Sequence, residues 1–284
     1  MELLKGKPVS EILDKETVNI SENLIENGVV PTLAVIRVGD NGSDIAYEES
    51  LIKKARTLGI QVEKFIFDSN ASESVLLDVI KIINENDKIH GVLMFRPLPK
   101  SMDEDRVRNH LAAQKDIDCI TDDSLARVFT ASQTGFPPCT AEAAMTILDF
   151  YGIEPAGKKA VVIGRSLVIG KPVAMMLLNK NASVTVCHSK TKLEDLIDYC
   201  KDADIIVCAT GKIDTLTADC VNGKQTVIDV GINFNSDGKM CGDVDFQGVE
   251  GKVAAITPVP GGVGGVTTSI LMHHVAVAAQ RETL

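Results

Sequence analysis

Short apolar runs alternate along the chain with longer segments in which apolar and polar residues recur at helical spacing. In the first half, the runs at 32–38 and 92–94 predict short buried strands. Between and around them, the polar patterns at about 43–58 and 73–86 predict helices. A strand–helix–strand order of this kind is typical of a parallel sheet covered by helices.

The same rhythm resumes after a polar, irregular passage at about 114–139. Regular alternation on this scale predicts a second parallel sheet with helices on both faces. The strands predicted for it are 160–163, 183–186, 204–208 and 226–230.

Chain length and the irregular passage together favour two domains, because domains commonly run ~100–200 residues and the chain has 284. The boundary is expected near 120–140. The last helix, at about 266–281, is expected to fold back onto the first domain. We therefore predict an α/β protein whose domains are 1–125, joined by 266–284, and 126–265.

The composition of the chain argues against several classes of protein. The first twenty residues mix charges among apolar positions, so no secretion signal is predicted. The apolar C-terminal segment contains His273 and His274, and no run approaches the ~20 apolar residues that a membrane span needs. The net charge of -10 argues against nucleic-acid binding. Seven cysteines without a CxxC pair favour reduced thiols in the cytoplasm, and no metal site is predicted.

A glycine turn in KKAVVIGRSLVIGKP is the strongest local motif. Gly164 follows a predicted strand and precedes a helical stretch, where backbone amides and a helix N-terminus can hold a phosphate. The turn is not a standard GxGxxG, because Ser166 takes the place of the second glycine and Gly170 comes late. It is not a P-loop either, because Pro172 follows the lysine. An ordinary strand-to-helix turn is the alternative interpretation.

The next predicted strand ends in His188, Ser189 and Lys190, where NAD enzymes usually present a carboxylate to the ribose 2'-hydroxyl. That carboxylate is absent. Arg165 and Ser189 suit the oxygens of a 2'-phosphate, which favours NADP over NAD. Lys190, taken alone, is better explained as a solvated residue at a strand end.

Several motifs occur together and in order. GRSLVIGKP is followed by VTVCHSKT, DVGIN at 229–233, GDVDF at 242–246 and TPVPGGVG at 257–264, and is preceded by VGDNGSDIAYEES, HGVLMFRPLP, KDID and PPCT. In this order and spacing the chain resembles the methylenetetrahydrofolate dehydrogenase/cyclohydrolase family over nearly its whole length. The resemblance implies two α/β domains flanking a cleft, the second a Rossmann-like doubly wound parallel sheet. It also implies a cytoplasmic homodimer that binds a reduced folate and NADP.

The resemblance also implies functional residues. Tyr47 matches the tyrosine on which the folate rings pack, and Asp118 matches the aspartate that hydrogen-bonds the pterin; both are candidates for catalysis and substrate binding. Pro260, Gly261 and Gly262 match the loop that closes over the folate. The candidates for cofactor binding are Gly164, Arg165, Ser166, Ile169, Gly170, His188, Ser189, Thr210, Gly211 and Ile232.

The chain departs from the family at several positions of the expected folate pocket. The family normally has a lysine four residues after the tyrosine, where this chain has Leu51, and a glutamine where it has Phe95. Both remain candidates for substrate contact. Lys54, seven residues after Tyr47, shares its helix face but lies about 4.5 Å further along than the usual lysine. A solvated Lys54 is the simpler expectation. The other departures are Asp44 for serine, Cys119 for glycine, and Gly265 and Val266 for proline and methionine.

These departures affect the two family reactions unequally. Oxidation of a methylene bridge needs positioning against the nicotinamide, because the folate nitrogens stabilise the resulting cation. Hydrolysis of that cation needs a titratable group that moves protons. We therefore expect an NADP-dependent dehydrogenase with weak or lost cyclohydrolase activity. Two alternatives stay open: a bifunctional enzyme in which Lys54 or another group acts, and a catalytically silent NADP- or folate-binding protein.

Overall fold

Strands and helices alternate through most of the chain in the computed structural model, which describes residues 1–132 and 134–283. The strands are β1 (Glu2–Leu3), β2 (Thr32–Val38), β3 (Gln61–Phe67), β4 (Gly91–Met94), β5 (Lys159–Ile163), β6 (Ser183–Cys187), β7 (Ile205–Cys208), β8 (Thr226–Asp229), β9 (Asn233–Phe234), β10 (Met240–Cys241) and β11 (Ala255–Ile256). The helices are α1 (Gly6–Glu26), α2 (Gly42–Thr57), α3 (Glu73–Asn84), α4 (Glu104–Arg108), α5 (Asp122–Phe129), α6 (Cys139–Phe150), α7 (Gly170–Asn179), α8 (Leu193–Lys201), α9 (Phe246–Val249) and α10 (Val263–Glu282).

The chain divides into two compact units, as predicted for a two-domain α/β protein. The large-sheet unit comprises Met1–Glu11, Val128–Ala131 and Thr140–Thr267, and the small-sheet unit comprises Ile12–Arg127, Ser132–Cys139 and Thr268–Leu284. The predicted limits differ at the N-terminus, because β1 pairs with β11 and so fixes the first residues to the large sheet. From Thr268 onward, α10 belongs to the small-sheet unit.

The large sheet is parallel throughout, with the strand order β1-β11-β8-β7-β5-β6. The chain moves outward from β5 to β6 and then crosses to β7 on the other side of β5. A Rossmann-like doubly wound sheet reverses direction in this way, and ligands bind beyond the carboxyl ends of its strands near the reversal. Ile163 pairs with both Cys187 and Cys208, and Cys208 pairs with Asp229, so these strand ends lie at one edge.

The small sheet has the order β3-β2-β4 and is also parallel. Its central strand β2 is buried because it is apolar on both faces, which is typical of a strand covered on both sides. The apolar-run pattern did not predict β3, whose sequence QVEKFIF mixes charges with apolar residues and lies at the sheet edge. α3 covers β2 and β4 with Leu76, Ile80 and Ile83. Within the described residues, no helix has the length and apolar character needed to cross a membrane.

Candidate active site

The predicted glycine turn lies at the carboxyl end of β5, beside the reversal of strand order. The Gly164 amide donates to the Cys187 carbonyl at 2.9 Å, which holds the turn against β6. Gly164 has a φ of +137°, and a Cβ on it would lie 2.3 Å from the Ala209 carbonyl oxygen. A side chain at this position would therefore collide with the segment that follows β7.

The start of α7 closes over the same turn. A Cβ on Gly170 would lie 2.4 Å from the Gly164 carbonyl group, so glycine is required here for close packing. The Ser166 hydroxyl accepts from the Ile169 amide at 3.2 Å, next to the first turn of the helix. Ser166, which replaces the usual second glycine, thus braces the loop locally, while Arg165 and Ser166 are exposed.

The segment after β6 forms a compact turn around His188. The His188 Nδ1 atom accepts from the Lys190 amide at 3.2 Å, and the His188 amide donates to the Thr191 hydroxyl at 2.9 Å. His188 therefore orders the turn through its Nδ1 atom, and Ser189 and Lys190 are exposed. Because Gly164 bonds to the last residue of β6, the exposed Arg165 and this turn lie on neighbouring strand ends.

A cavity of about 280 Å³ lies at the same edge of the large sheet. It brings together Ile232, predicted to contact the cofactor, with Pro260, Gly261 and Gly262, predicted to contact the folate. Gly261 has a φ of +103°, which lets the loop turn sharply there. The cavity is lined by residues 229–232, Met240 and 258–265.

In the small-sheet unit, Tyr47 is the centre of the predicted folate site. The residue is 39% exposed, and its ring meets Phe95 edge-on, with 6.0 Å between ring centroids and 79° between ring planes. Its hydroxyl is hydrogen-bonded to Thr268 of α10. Burial of the hydroxyl raises its pKa, which keeps it protonated and able to donate.

Asp118 lies in the loop before α5. Its carboxylate accepts from the Cys139 amide at 3.2 Å, at the start of α6. Burial raises the Asp118 pKa, and the negative charge of Asp116 acts in the same direction. The next residue, Cys119, has a φ of +56°, which is a strained conformation for a residue with a side chain. Glycine, which the resemblance implies at this position, adopts such a φ without this strain.

The two departures on α2 have different environments. Leu51 has no exposed surface, so it packs inside the unit, and its contact with substrate stays a prediction. Lys54 was expected to be solvated, but only 23% of its side chain is exposed. Its ammonium group lies 3.0 Å from an Asp14 carboxylate oxygen and donates to the Ser269 hydroxyl at 2.6 Å. The sequence did not reveal these partners because they come from α1 and α10, far along the chain.

Sequence reasoning also missed two buried aspartates. Asp229 and Asp243 lie in the segments DVGIN and GDVDF and are 4% and 0% exposed. Asp243 accepts hydrogen bonds from both Thr210 and Gly211, which were predicted to contact the cofactor. The only signal was the presence of an aspartate in each motif, because their pairing requires the fold.

Together, the doubly wound sheet, the glycine turn at its strand ends and the second α/β unit carrying an exposed tyrosine define a two-domain dinucleotide-binding protein. Comparison with known proteins gives the particular family. Residues 4–118 match the model of the tetrahydrofolate dehydrogenase/cyclohydrolase catalytic domain, and residues 138–283 match the NAD(P)-binding domain of the same family. The chain therefore belongs to the tetrahydrofolate dehydrogenase/cyclohydrolase family.

Individual relatives match over nearly their whole length. The bifunctional protein FolD of Alkaliphilus oremlandii is 45% identical over 278 residues, covering 98% of this chain and 97% of its own. The crystal structure of the bifunctional FolD enzyme of Campylobacter jejuni is 38% identical, with a TM-score of 0.96 and 99% coverage of both chains. A Trypanosoma brucei FolD structure, complexed with NADP and an inhibitor, is 30% identical, with a TM-score of 0.93 and coverage of 99% and 98%.

Proposed function

We propose that this protein oxidises 5,10-methylenetetrahydrofolate to 5,10-methenyltetrahydrofolate with NADP, and that it also hydrolyses the product. The observation that carries the oxidative half is the glycine turn beside the exposed Arg165 and Ser189, with no carboxylate among the residues that directly follow β6. This arrangement suits a 2'-phosphate. The Trypanosoma brucei relative, whose structure contains NADP, supports the same cofactor.

The backbone around the large-sheet edge fits a dinucleotide. Gly164 and Gly170 have no room for a Cβ, so the turn and the helix start are closely packed. Gly211 differs, because it has a φ of +66° and nothing within 4 Å of the place of a Cβ, which leaves open space beside the backbone. Amides at a helix start, a close-packed turn and open space after β7 are the features that admit a pyrophosphate and its sugars.

The chain's own residues have a positioning role in the oxidation. Bound NADP supplies the acceptor for the hydride of the methylene carbon. Tyr47 offers an aromatic face to the folate rings, and Phe95 fixes the tilt of that face. Asp118 offers its carboxyl group, held by the Cys139 amide, to the pterin. No residue needs to remove a proton, because the folate nitrogens stabilise the cation that forms.

Hydrolysis of the methenyl group is the second part of the proposed activity, and it needs a group that moves protons. The sequence led us to expect a weak or lost cyclohydrolase, but the names of the relatives favour the bifunctional alternative. For this chain we propose Lys54 as the titratable group, because it lies on the same face of α2 as Tyr47. Its partner Ser269 directly follows Thr268, the partner of Tyr47, so consecutive residues of α10 contact both side chains.

Two substitutions near Tyr47 favour a second candidate, a dehydrogenase without cyclohydrolase activity. The position of the family lysine is held by a fully buried leucine, and Phe95 brings a ring where the family has an amide. Both changes remove hydrogen-bonding capacity from the surroundings of Tyr47. Lys54, meanwhile, is already engaged by Asp14.

Paired spectrophotometric assays on the purified protein test the proposal. The first follows reduction of NADP, and separately of NAD, with methylenetetrahydrofolate, and the second follows loss of methenyltetrahydrofolate absorbance. We expect activity in both assays and a preference for NADP that Arg165→Ala reduces. NADP reduction without enzyme-dependent hydrolysis would establish the second candidate. Activity in neither assay would contradict both.

We also propose a cytoplasmic homodimer. The described cysteines are all free thiols, which suits a reducing compartment. Light scattering of the protein as it elutes from a size-exclusion column, with and without NADP, measures the mass of the particle in solution. A mass of one chain would contradict the dimer without affecting the proposed reaction.

A further inference from the structure

One buried carboxylate connects the two loops that carry several of the predicted cofactor contacts. Asp243 Oδ2 accepts from the Thr210 amide at 2.5 Å, the Thr210 hydroxyl at 3.0 Å and the Gly211 amide at 3.1 Å. Its Oδ1 accepts from the Asn233 side-chain amide at 2.9 Å. Asn233 directly follows Ile232. A single side chain therefore fixes the segment after β7 and the segment after β8.

Asp229 holds the backbone around Asp243 in place. Its Oδ1 accepts from the Asp243 amide at 2.9 Å and from the Gly231 amide at 3.0 Å, and its Oδ2 accepts from the Val244 amide at 3.1 Å. Two glycines permit this packing. A Cβ on Gly231 would lie 2.1 Å from Asp243 Oδ1, and a Cβ on Gly242 would lie 1.9 Å from Asp229 Oδ2. Each aspartate therefore packs against the glycine of the other motif: Asp243 against Gly231 of DVGIN, and Asp229 against Gly242 of GDVDF.

The two aspartates lie beside the predicted cofactor site. Thr210 and Gly211 follow β7, which neighbours β5 at the reversal of strand order. The Ala209 carbonyl oxygen there lies so near Gly164 that a Cβ on this glycine would be 2.3 Å from it. Ile232, in the other loop, lines the 280 Å³ cavity. The loops joined by Asp243 therefore border both the turn and the cavity.

We propose that Asp243 is a positioning residue for NADP, an inference that rests on the proposed function. It acts on the cofactor through Thr210 and Gly211, whose backbone amides it binds, and through Asn233, which directly follows Ile232. Four hydrogen bonds converge on this carboxylate, and hydrogen bonds to a carboxylate are stronger than those between neutral groups. Without the Asp243 carboxylate, the two loops lose the side chain to which both are hydrogen-bonded.

Asp243→Asn tests the inference with little change in shape. An asparagine has one acceptor oxygen and an NH₂ group, so one side of it must face N–H donors that the carboxylate now binds. The primary readout is the NADPH dissociation constant, measured by fluorescence titration without folate. We expect it to rise by at least about 10-fold, which corresponds to about 1.4 kcal/mol. The KM for folate should change less than the NADPH dissociation constant, because the predicted folate contacts Tyr47 and Asp118 lie in the small-sheet unit.

Asp245→Asn is the matched control. Asp245 lies two residues away and accepts from the Gly248 amide at 3.0 Å as the N-cap of α9. Its replacement should change thermal stability little, because asparagine caps a helix about as well as aspartate, and should leave NADPH affinity within about 2-fold. A comparable loss of affinity in both variants, or an unchanged affinity in Asp243→Asn, would overturn the inference.

A milder variant covers the case in which Asp243→Asn does not fold. Asn233→Ala removes one of the donors on Asp243 together with a hydrogen bond to the Gly242 carbonyl. It leaves in place the backbone amides that donate to Asp229. We expect its NADPH dissociation constant to rise by about 3-fold or more. An unchanged value would overturn the inference for this loop. Failure of the unaltered protein to bind NADPH would instead overturn the proposed cofactor and the inference together.

Discussion

Phe95 meets Tyr47 edge-on, with 6.0 Å between their ring centroids and an angle of 79° between their planes. An edge-to-face pair of this kind contributes about 0.5–1.5 kcal/mol beyond the area it buries. The two rings come from α2 and from the loop after β4, so the contact ties the exposed tyrosine to the carboxyl edge of the small sheet. A glutamine in place of Phe95, which the family resemblance implies, would put an amide group where this ring now contacts Tyr47.

Phe95→Gln should weaken folate binding and favour hydrolysis. Loss of the ring contact frees the tilt of Tyr47, and the KM for methylenetetrahydrofolate should rise by about 2- to 10-fold. The new amide supplies a donor and an acceptor beside Tyr47, so the ratio of hydrolysis to oxidation should increase. Phe95→Leu is the control, since it removes the ring without adding hydrogen-bonding groups. An equal activity ratio in the two variants would contradict a role for the amide.

Lys54→Ala separates the two candidate functions. If Lys54 moves protons during hydrolysis, its loss should reduce methenyltetrahydrofolate hydrolysis by about 10²-fold or more. Oxidation with NADP should fall by no more than about 3-fold, because that step needs no protein base. Lys53→Ala, an exposed lysine on the same helix, should leave both reactions unchanged. Retention of hydrolysis in Lys54→Ala would assign the proton transfer to another group.

The stability of the fold should depend on the charge of Asp229. Burial raises its pKa from 3.8 to about 6, so the folded state binds this proton more tightly than the unfolded chain does. The associated stabilisation is present below about pH 4 and is lost as the pH rises through about 6, on the order of 3 kcal/mol at most. Asp229→Asn cannot ionise and lacks this dependence.

Urea unfolding of the unaltered protein and Asp229→Asn between pH 4 and 7.5 measures the effect. The variant loses an acceptor oxygen for backbone amides and should be less stable at every pH. Its deficit in the free energy of unfolding should be largest near pH 4 and should shrink toward pH 7. A deficit that is independent of pH would contradict the raised pKa of Asp229.

Cys119 stores backbone strain beside Asp118. At a φ of +56°, a residue with a Cβ is less favourable than glycine by about 1 kcal/mol or more. Cys119→Gly should therefore be more stable than Cys119→Ala by about 1 kcal/mol, which reverses the usual order of the two residues. Both variants lose the buried thiol, so comparing them isolates the backbone term. Thermal unfolding that ranks alanine above glycine would contradict the strain.

The sequence by itself determined the α/β class, most strand positions and the family. β2 was predicted with the limits that the structure has, because a buried parallel strand is apolar on both faces and needs no partner to be recognised. Gly164 and Gly170 could also be identified, since a strand followed by a glycine turn and a helix is a local pattern. The order of motifs along the chain then indicated the family before any contact was known.

Only the tertiary structure decided which groups meet. Lys54 pairs with Asp14 and Ser269, and Asp243 binds Thr210, from segments well separated along the chain. The N-terminal residues join the large sheet because β1 finds its partner in β11, more than two hundred residues away. Strand and helix patterns follow from the local geometry of the backbone, whereas pairing between distant segments depends on how whole elements pack. The sequence therefore determined what the elements are, and the packed fold determined which residues share a site.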